Sequence, residues 1–255
     1  MKQNNYSTKL NEYKNLVKNL EISEEIDMNK LEFYFESLKD WSVFHTFKDI
    51  EDWYKGVIDK KEMVIEEIPL KECKKWITDD NKMYHESGEF FSVEGIRVKT
   101  NIRESIGGWD QPILKQVGFD GGILGIIRKR FDGIPHYLLE AKSEPGNPNI
   151  VQISPTLQAT FSNIKAAHLG NIPKYLDFFE NPDKYGIVCY KKWLAEDGGR
   201  LYNKRNLNMI IEIDENYDIN LENDNFIWMS MYQLKKCLQK DAWVATTTRS
   251  IIAHL

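Results

Sequence analysis

The segment ILGIIRKRFDGIPHYLLEA, residues 123–141, decides the fold. In it, two largely apolar runs, residues 123–130 and 136–141, flank Phe131, Asp132, Gly133 and Ile134. An Asp-Gly pair between apolar runs is a strong hairpin signal, because both central residues of the favoured tight turn need a positive φ. The segment therefore predicts two antiparallel strands joined by a short turn.

Further short apolar runs follow along the chain, at residues 186–190, 209–213 and 226–229. Each is short enough for a strand, so we expect a mixed sheet as the core. Residues 231–238 place Met231, Leu234 and Leu238 on one side of a helix. Strands combined with covering helices predict an α+β domain.

The first 60 residues have a helical pattern instead. Apolar side chains recur there at spacings of three and four, which is the period of an amphipathic helix. One stripe is formed by Leu10, Tyr13, Leu16, Val17 and Leu20, and a second by Leu31, Tyr34, Phe35 and Leu38. We predict a helical extension over residues 1–60 and a second domain over residues 61–255.

Composition restricts the class of protein. The chain has 255 residues, of which 42% are hydrophobic, and a net charge of −5, so nucleic acid or an anionic membrane is not expected as a partner. No run approaches the ~18 apolar residues of a membrane helix, and the N-terminal sequence lacks the apolar core of a signal peptide. We therefore expect a cytoplasmic protein. The three cysteines include no Cys-x-x-Cys pair, so neither a disulfide framework nor a thiolate metal site is predicted.

Residues 154–168 form a stretch without Asp or Glu. Ser154 followed by Pro155 predicts the start of a helix, with Leu157, Phe161 and Ile164 on one face. Neutral hydrogen-bonding side chains suit a wall that binds hydroxyl groups, and they equally suit capping of neighbouring loops. The polar positions are Ser154, Thr156, Gln158, Thr160, Ser162 and Asn163, with Lys165 as the only charge before His168.

Lys142 and Glu144 precede this stretch and stand two residues apart. In an extended chain both project from the same side. Pro145, Gly146 and Asn147 then predict a sharp turn.

Five segments in this order resemble the motifs of NDP-hexose 2,3-dehydratases. They are residues 85–97, residues 106–113 with 121–125, residues 141–163, residues 204–209 and residues 247–253. The resemblance implies a Nudix-like α/β/α sandwich, a unit normally duplicated in tandem and present here once. The chain departs from the family pattern at residues 194–199, where the neutral neighbours of Glu196 are replaced.

The activity implied by the resemblance is a carbon–oxygen lyase reaction on an NDP-4-keto-6-deoxyhexose, most simply dTDP-4-keto-6-deoxyglucose. Loss of the C3 proton and the C2 hydroxyl gives an NDP-3,4-diketo-2,6-dideoxyhexose. The reaction needs a base, an acid and donors to the C4 oxygen, but no redox cofactor and no obligatory metal. The candidate catalytic residues are Lys142, Glu144, His168 and His85. Each has a structural alternative: His85 as a capping or core residue, His168 as a cation at a helix end, and Lys142 with Glu144 as an ion pair.

Substrate-binding candidates follow from the same motifs. Lys204 and Arg205, next to Asn206 and Asn208, suit a diphosphate, as does Arg249, and Trp109 suits stacking on a base or sugar. The remaining candidates are Gln111, Asn147, Gln152, Ser154, Thr156, Gln158, Thr160, Ser162, Asn163 and Glu196.

Two other classes of function stay open. One is a non-catalytic sugar-nucleotide-binding or assembly subunit. The other is a Nudix-type pyrophosphohydrolase, which is disfavoured because residues 154–168 supply no carboxylate for magnesium. The tandem arrangement of the family predicts a homodimer for a single copy.

Overall fold

The structure, a computed structural model, describes residues 2–20, 27, 30–60, 63–101, 106–118, 121–160, 172–221, 223–253 and 255. Within these ranges the helices are α1 (Lys2–Lys18), α2 (Leu31–Glu36), α3 (Phe47–Asp59), α4 (Leu176–Glu180), α5 (Met231–Cys237) and α6 (Thr246–Ile252). Short 3-10 turns occur at Leu70–Glu72 and Pro182–Lys184.

The described strands form two sheets. A small antiparallel sheet contains β1 (Trp76–Thr78), β2 (Lys82–His85), β3 (Phe91–Val98) and β4 (Trp109–Gln116) in that order. The main sheet contains β5 (Gly122–Phe131), β6 (Ile134–Ser143), β7 (Val151–Pro155), β8 (Leu157–Thr160), β9 (Gly186–Ala195), β10 (Arg205–Ile213) and β11 (Phe226–Met229). Its main path runs β11-β6-β5-β10-β9.

The predicted hairpin is confirmed as the centre of the main sheet. β5 and β6 pair antiparallel from Phe131 and Ile134 to Ile127 and Leu138. Asp132 and Gly133 form the turn with φ values of 51° and 71°, which is the conformation that the Asp-Gly pair favours. The three later apolar runs are confirmed as parts of β9, β10 and β11.

The sheet is mixed, as predicted, because β10 lies parallel to β5 while the other pairs are antiparallel. Helices cover both faces. Ile50 and Tyr54 of α3, Leu234 of α5 and Ile251 of α6 pack in one core cluster with Ile126. On the other face the second cluster contains Leu176, Phe178 and Phe179 of α4 with Ile127, Met209 and Ile211. The α+β class is therefore confirmed, whereas a Nudix-like fold stays a prediction.

The predicted helix at residues 154–168 is wrong where the structure describes it, since residues 151–160 are extended. The Ser-Pro pair is equally compatible with a strand, because the residue before a proline favours the extended region. Apolar and polar residues also alternate here, which is the period of a strand, and the apolar ones are all buried: Val151, Ile153, Pro155, Leu157 and Ala159. Phe161, Ser162, Asn163, Ile164 and His168 lie outside the described residues.

Residues 151–160 fill a fork in the main sheet. Beyond Ile127 and Leu138 the strands β5 and β6 separate; β7 pairs with β6, and β8 pairs with β5. Thr156 lies at the apex, where its hydroxyl accepts the Ile127 N–H at 2.9 Å and donates to the Leu138 carbonyl. We call this pair of strands the V.

The N-terminal helices pack on the hairpin end of β5 and β6. Tyr6, Leu10, Phe35 and Ile134 form a third core cluster. The predicted stripes are only partly confirmed, because several of their members are exposed: Leu16, Leu20, Tyr34 and Leu38.

A buried ionic cluster connects α2 to the sheet. Arg128 pairs with Glu36 at 2.7 Å, Arg130 pairs with Glu32 at 2.8 Å, and Glu212 of β10 contacts both arginines. Burial pushes the pKa of Glu32 upward, but Arg130 and Arg128 outweigh it and bring this pKa down to about 2. The cluster therefore holds the second helix against β5 and β10 through charges.

The helices and the cysteines can be compared with what the sequence predicts. Of the helices in the described ranges, none has the length and apolarity to cross a membrane. The thiols Cys73, Cys189 and Cys237 are all free, and Cys237 is buried in the first core cluster.

Candidate functional site

The outer end of β6 and the residue that follows it form an ion pair. Lys142 Nζ lies 3.3 Å from Glu144 Oε1, and 28% and 39% of the two side chains are exposed. The two residues project from the same side, as their spacing predicts. A turn follows, in which the Asn147 amide donates to the Ile150 carbonyl at 3.1 Å.

Two hydrogen bonds in series connect this ion pair to β8 and then to α6. Gln158 of β8 donates from Nε2 to Glu144 Oε1 at 2.8 Å, and Thr247 of α6 donates to Gln158 Oε1 at 3.0 Å. Because both ends of the Gln158 amide are bonded, its orientation is fixed and it holds the Glu144 carboxylate in place. The neutral stretch of sequence thus supplies a positioning side chain, although it does so from a strand.

Helix α6 is anchored to both arms of the V. The segment that leads into it pairs with β7, since the Ile153 N–H donates to the Trp243 carbonyl at 2.7 Å and the Ala245 N–H donates to Ile153 at 3.0 Å. The Thr248 hydroxyl also donates to the Ile153 carbonyl at 3.0 Å. The start of α6 is therefore rigidly placed beside Gln158.

A cavity of about 550 Å³ opens next to this helix. Three of the predicted binding residues line it, namely Asn147, Gln152 and Arg249. Arg249 donates to the Thr246 hydroxyl at 2.8 Å, and its side chain is exposed. The cavity thus offers a guanidinium and amides close to the Glu144 side of the V.

The first half of β10 carries the predicted Lys-Arg-Asn motif, and the structure separates its members. Asn208 is buried, accepts the Ser250 hydroxyl at 2.7 Å and donates to the Asn206 carbonyl at 2.9 Å. Asn206 in turn donates to Glu196. Lys204 is buried against Gln116 of the small sheet.

Arg205 points elsewhere and lies over the Trp193 ring at 5.1 Å. A second cavity, of about 750 Å³, is lined by Glu196, Lys204 and Arg205 together with side chains from the small sheet such as Ile96 and Ile113. The predicted diphosphate ligands therefore border a different cavity from Arg249.

Two glycines of the second motif lie where a side chain would clash with a neighbouring strand or helix. A Cβ on Gly122 would lie 2.6 Å from the Ala159 carbonyl oxygen and 2.8 Å from Asn206 Oδ1. A Cβ on Gly125 would lie 2.2 Å from the Phe179 ring. The glycines are needed for the close approach of β8, β10 and α4 to β5.

The small sheet carries the remaining predicted residues. Trp109 donates to Gln111 at 2.6 Å, and Gln111 donates to the Gly199 carbonyl at 3.0 Å. His85 bonds to Ser87 at 2.7 Å and packs against aromatic rings of its own sheet. In the described part of the chain the contacts of His85 include none of the other catalytic candidates, so the structure does not join it to Lys142 and Glu144.

The remaining candidates lie either in the main sheet or outside the described residues. Ser154 is buried on β7, and the Thr156 hydroxyl bonds both β5 and β6 at the apex of the fork. Thr160 ends β8 opposite Gly122. Ser162, Asn163 and His168 fall outside the described residues. Within the described ranges, no group of three or more His, Cys, Asp or Glu side chains is placed to hold a metal ion.

Three polar residues at the site were not predicted. Thr247 and Ser250 are the partners of Gln158 and Asn208, and they stand at helical spacing in the last motif. Glu140 lies on β6 two residues before Lys142, and burial raises its pKa. The alternation along β6 was the signal that could have identified Glu140.

Comparison with known proteins gives relatives over most of the chain. A protein from Saccharopolyspora spinosa named dTDP-4-dehydro-6-deoxy-alpha-D-glucopyranose 2,3-dehydratase is 36% identical over 203 residues, which cover 79% of this chain and 40% of the relative. Proteins of the same name from Amycolatopsis orientalis and Streptomyces violaceoruber are 35% and 37% identical, covering 82% and 73% of this chain and 44% and 41% of the relatives. The chain thus spans about two fifths of the length of these relatives.

The range matched by a family profile includes all five motifs. A sequence profile described as NDP-hexose 2,3-dehydratase matches residues 47–255, a range that includes α3 and all eleven described strands. On this evidence the chain belongs to the NDP-hexose 2,3-dehydratase family.

Proposed function

We propose that the chain is a 2,3-dehydratase of an NDP-4-keto-6-deoxyhexose, with dTDP-4-keto-6-deoxyglucose as the substrate. The observation that carries this proposal is the Lys142–Glu144 pair, which Gln158 holds at the mouth of the V. The names of the relatives supply the substrate class.

The chemistry begins at C3 of the sugar, whose proton is acidic because the neighbouring C4 is a ketone. In this proposal Glu144 acts as the base, and the hydrogen bond that its carboxylate accepts from Gln158 supports this role by keeping it oriented. The ammonium of Lys142 stabilises the negative charge that develops on the C4 oxygen. Expulsion of the C2 hydroxyl then gives an enol, which tautomerises to the 3,4-diketone.

The nucleotide half of the substrate needs donors for two phosphates. Arg249 in the first cavity and Arg205 beside the second cavity are the two candidate guanidinium groups. The two candidates are distinguishable, because Arg249→Ala and Arg205→Ala raise the KM for the nucleotide sugar only where the arginine contacts the diphosphate.

The test of the proposed activity uses a trap for the unstable product. The purified chain is incubated with dTDP-4-keto-6-deoxyglucose and a 3-ketoreductase, and the nucleotide sugars are separated. A 2-deoxy sugar nucleotide is the expected product. Saturable binding with no turnover of dTDP-, GDP- or UDP-linked substrates would exclude the lyase and support a binding or assembly subunit, and release of nucleoside monophosphate would support a hydrolase.

We also propose that the chain forms a homodimer. The support is the length of the relatives, which leaves room for more than one unit of this size. Analytical ultracentrifugation at several concentrations should give twice the monomer mass. A monomer throughout the working range would contradict the proposal.

A further inference from the structure

The outer end of β6 and the first residue after it carry a row of three charged residues. Glu140 and Lys142 stand at alternate positions of the strand, so their side chains leave it on one side about 7 Å apart, and the Lys142 ammonium lies 3.3 Å from the Glu144 carboxylate. The charges interact along the row, since Lys142 lowers the pKa of Glu140 and Glu144 raises it. Lys142 thus lies between two carboxyl groups.

The two carboxyl groups have different surroundings. Glu144 is 39% exposed, contacts the Lys142 ammonium at 3.3 Å and accepts a hydrogen bond from Gln158 at 2.8 Å. These contacts suit a charged carboxylate.

Glu140 lies inside the sheet, with Ser154 of β7 on one side and Phe226 of β11 on the other. Among the described residues, the charges that act on its carboxyl group are those of Lys142 and Glu144. Burial is the largest effect on this group and raises its pKa, which favours the protonated acid.

Glu140 and Glu144 thus stand on either side of Lys142, one inside the sheet and the other held at its edge by Gln158, and two carboxyl groups in such unlike surroundings suit an acid and a base that act on one substrate. We propose that Glu140 is a further catalytic residue, the acid that protonates the departing C2 hydroxyl while Glu144 takes the proton from C3. This inference rests on the proposed function.

Both glutamates recover their starting protonation states at the end of one turnover. Glu144 removes the C3 proton, and the electron pair forms the C4 enolate. The enolate then re-forms the C4 ketone, the C2=C3 bond forms, the C2–O bond breaks, and the oxygen leaves as water with the proton of Glu140. Glu144 returns its proton to C2 and Glu140 takes the proton of the C3 hydroxyl, so the diketone is formed and both groups are restored.

The experiment separates the two proton transfers. The unaltered protein, Glu140→Gln and Glu144→Gln are incubated in D2O with dTDP-4-keto-6-deoxyglucose, and NMR follows deuterium at C3 of recovered substrate while the 3-ketoreductase traps product. Glu140→Gln should lower product formation about 10²-fold or more and still exchange the C3 proton. Glu144→Gln should lose both, and Glu12→Gln, an exposed position on α1, serves as the matched control.

A substrate analogue with fluorine at C2 gives a second measurement, because fluoride departs with much less need of a proton. Glu140→Gln should eliminate fluoride from it at a rate close to that of the unaltered protein, and Glu140→Asp, which keeps an acid, should recover part of the turnover of the natural substrate.

The results that would overturn the role of Glu140 differ from the result that would overturn the proposed function. Full product formation by Glu140→Gln, loss of both exchange and product in that variant, or equal impairment on the fluorinated and natural substrates would each overturn the role of Glu140. If the unaltered protein gives neither exchange nor product, it is the proposed function that fails.

Discussion

At the scale of single residues, the site depends on side chains whose orientation is fixed by others. Gln158 shows this directly, since Thr247 bonds its oxygen and its nitrogen therefore faces Glu144. The sequence suggested Lys142, Glu144 and Gln158 as candidates because their side chains can transfer protons or form hydrogen bonds. It could not show the contact between Gln158 and Thr247, because they are brought together only by the fork in the sheet.

Replacement of the central pair should remove catalysis and leave binding. Lys142→Ala and Glu144→Gln should each lower the turnover of dTDP-4-keto-6-deoxyglucose about 10²- to 10⁴-fold, the range for loss of a proton-transfer group. Isothermal titration with dTDP should give an affinity close to that of the unaltered protein. Full turnover in either variant would remove that residue from the mechanism.

Thr156 should be a stabilising residue rather than a ligand for substrate. In Thr156→Val the Ile127 N–H and the Leu138 carbonyl both lose a buried partner, which should cost about 1–3 kcal/mol in the free energy of unfolding. Urea unfolding measures this cost, with Thr78→Val on the exposed strand β1 as control. A change in the free energy of unfolding equal to that of the control would show that Thr156 does not hold β5 and β6 together.

His136 should make stability depend on pH. Burial lowers the pKa of this histidine to about 4, and its Nε2 accepts the Val43 N–H at 3.2 Å. The unfolded chain therefore binds the proton more readily than the folded chain between pH 6.5 and about 4, so the contribution of His136 is present above pH 6.5 and is lost as the pH falls toward 4. This amounts to about 2 kcal/mol between pH 7 and 5.

The measurement is the free energy of unfolding at pH 7 and pH 5 for the unaltered protein and for His136→Gln. The glutamine variant should lose less stability between the two pH values, because the side chain at position 136 then no longer titrates. Equal losses in the two proteins would show that His136 does not titrate differently in the folded state.

At the scale of elements, local patterns sufficed where one period was clear. The β5–β6 hairpin was predicted from an Asp-Gly turn that needs positive φ, and α5 was predicted from its apolar spacing. The V was mistaken for a helix because Ser-Pro is a frequent helix start, and the alternation over residues 151–160 was outweighed by it. The pairing of β8 with β5 joins positions as far apart in sequence as Gly122 and Thr160, so it has no local signal.

The ionic cluster between α2 and the sheet should be essential for stability. Arg128→Met leaves Glu36 buried without its partner, and loss of one member of a buried pair costs about 3–5 kcal/mol. The double variant Arg128→Met with Glu36→Leu should recover much of the loss, since no buried charge remains at that contact. Chemical unfolding of the single and double variants measures the difference, and additive losses would contradict the coupling.

At the scale of the whole molecule, the candidate site depends on segments from distant parts of the sequence. β6 and the turn after it carry Lys142 and Glu144, β8 carries Gln158, and α6 adds Thr247 to the network. Composition and motif order were enough to predict the family and the α+β class. They could not predict that the Lys-Arg-Asn motif and Arg249 border different cavities, because that separation follows from the route of β10 beside β5.

The parallel pairing of β5 with β10 has a consequence for how the chain folds. Ile123 pairs with Leu207, and the hairpin, the V and α4 lie between them in sequence. A long loop must therefore close before the central strand gains its second neighbour, and such non-local pairing is slow. During synthesis the hairpin and the V emerge first, with one edge of β5 still open, so this interval is when the nascent chain is most exposed to aggregation and most dependent on chaperones.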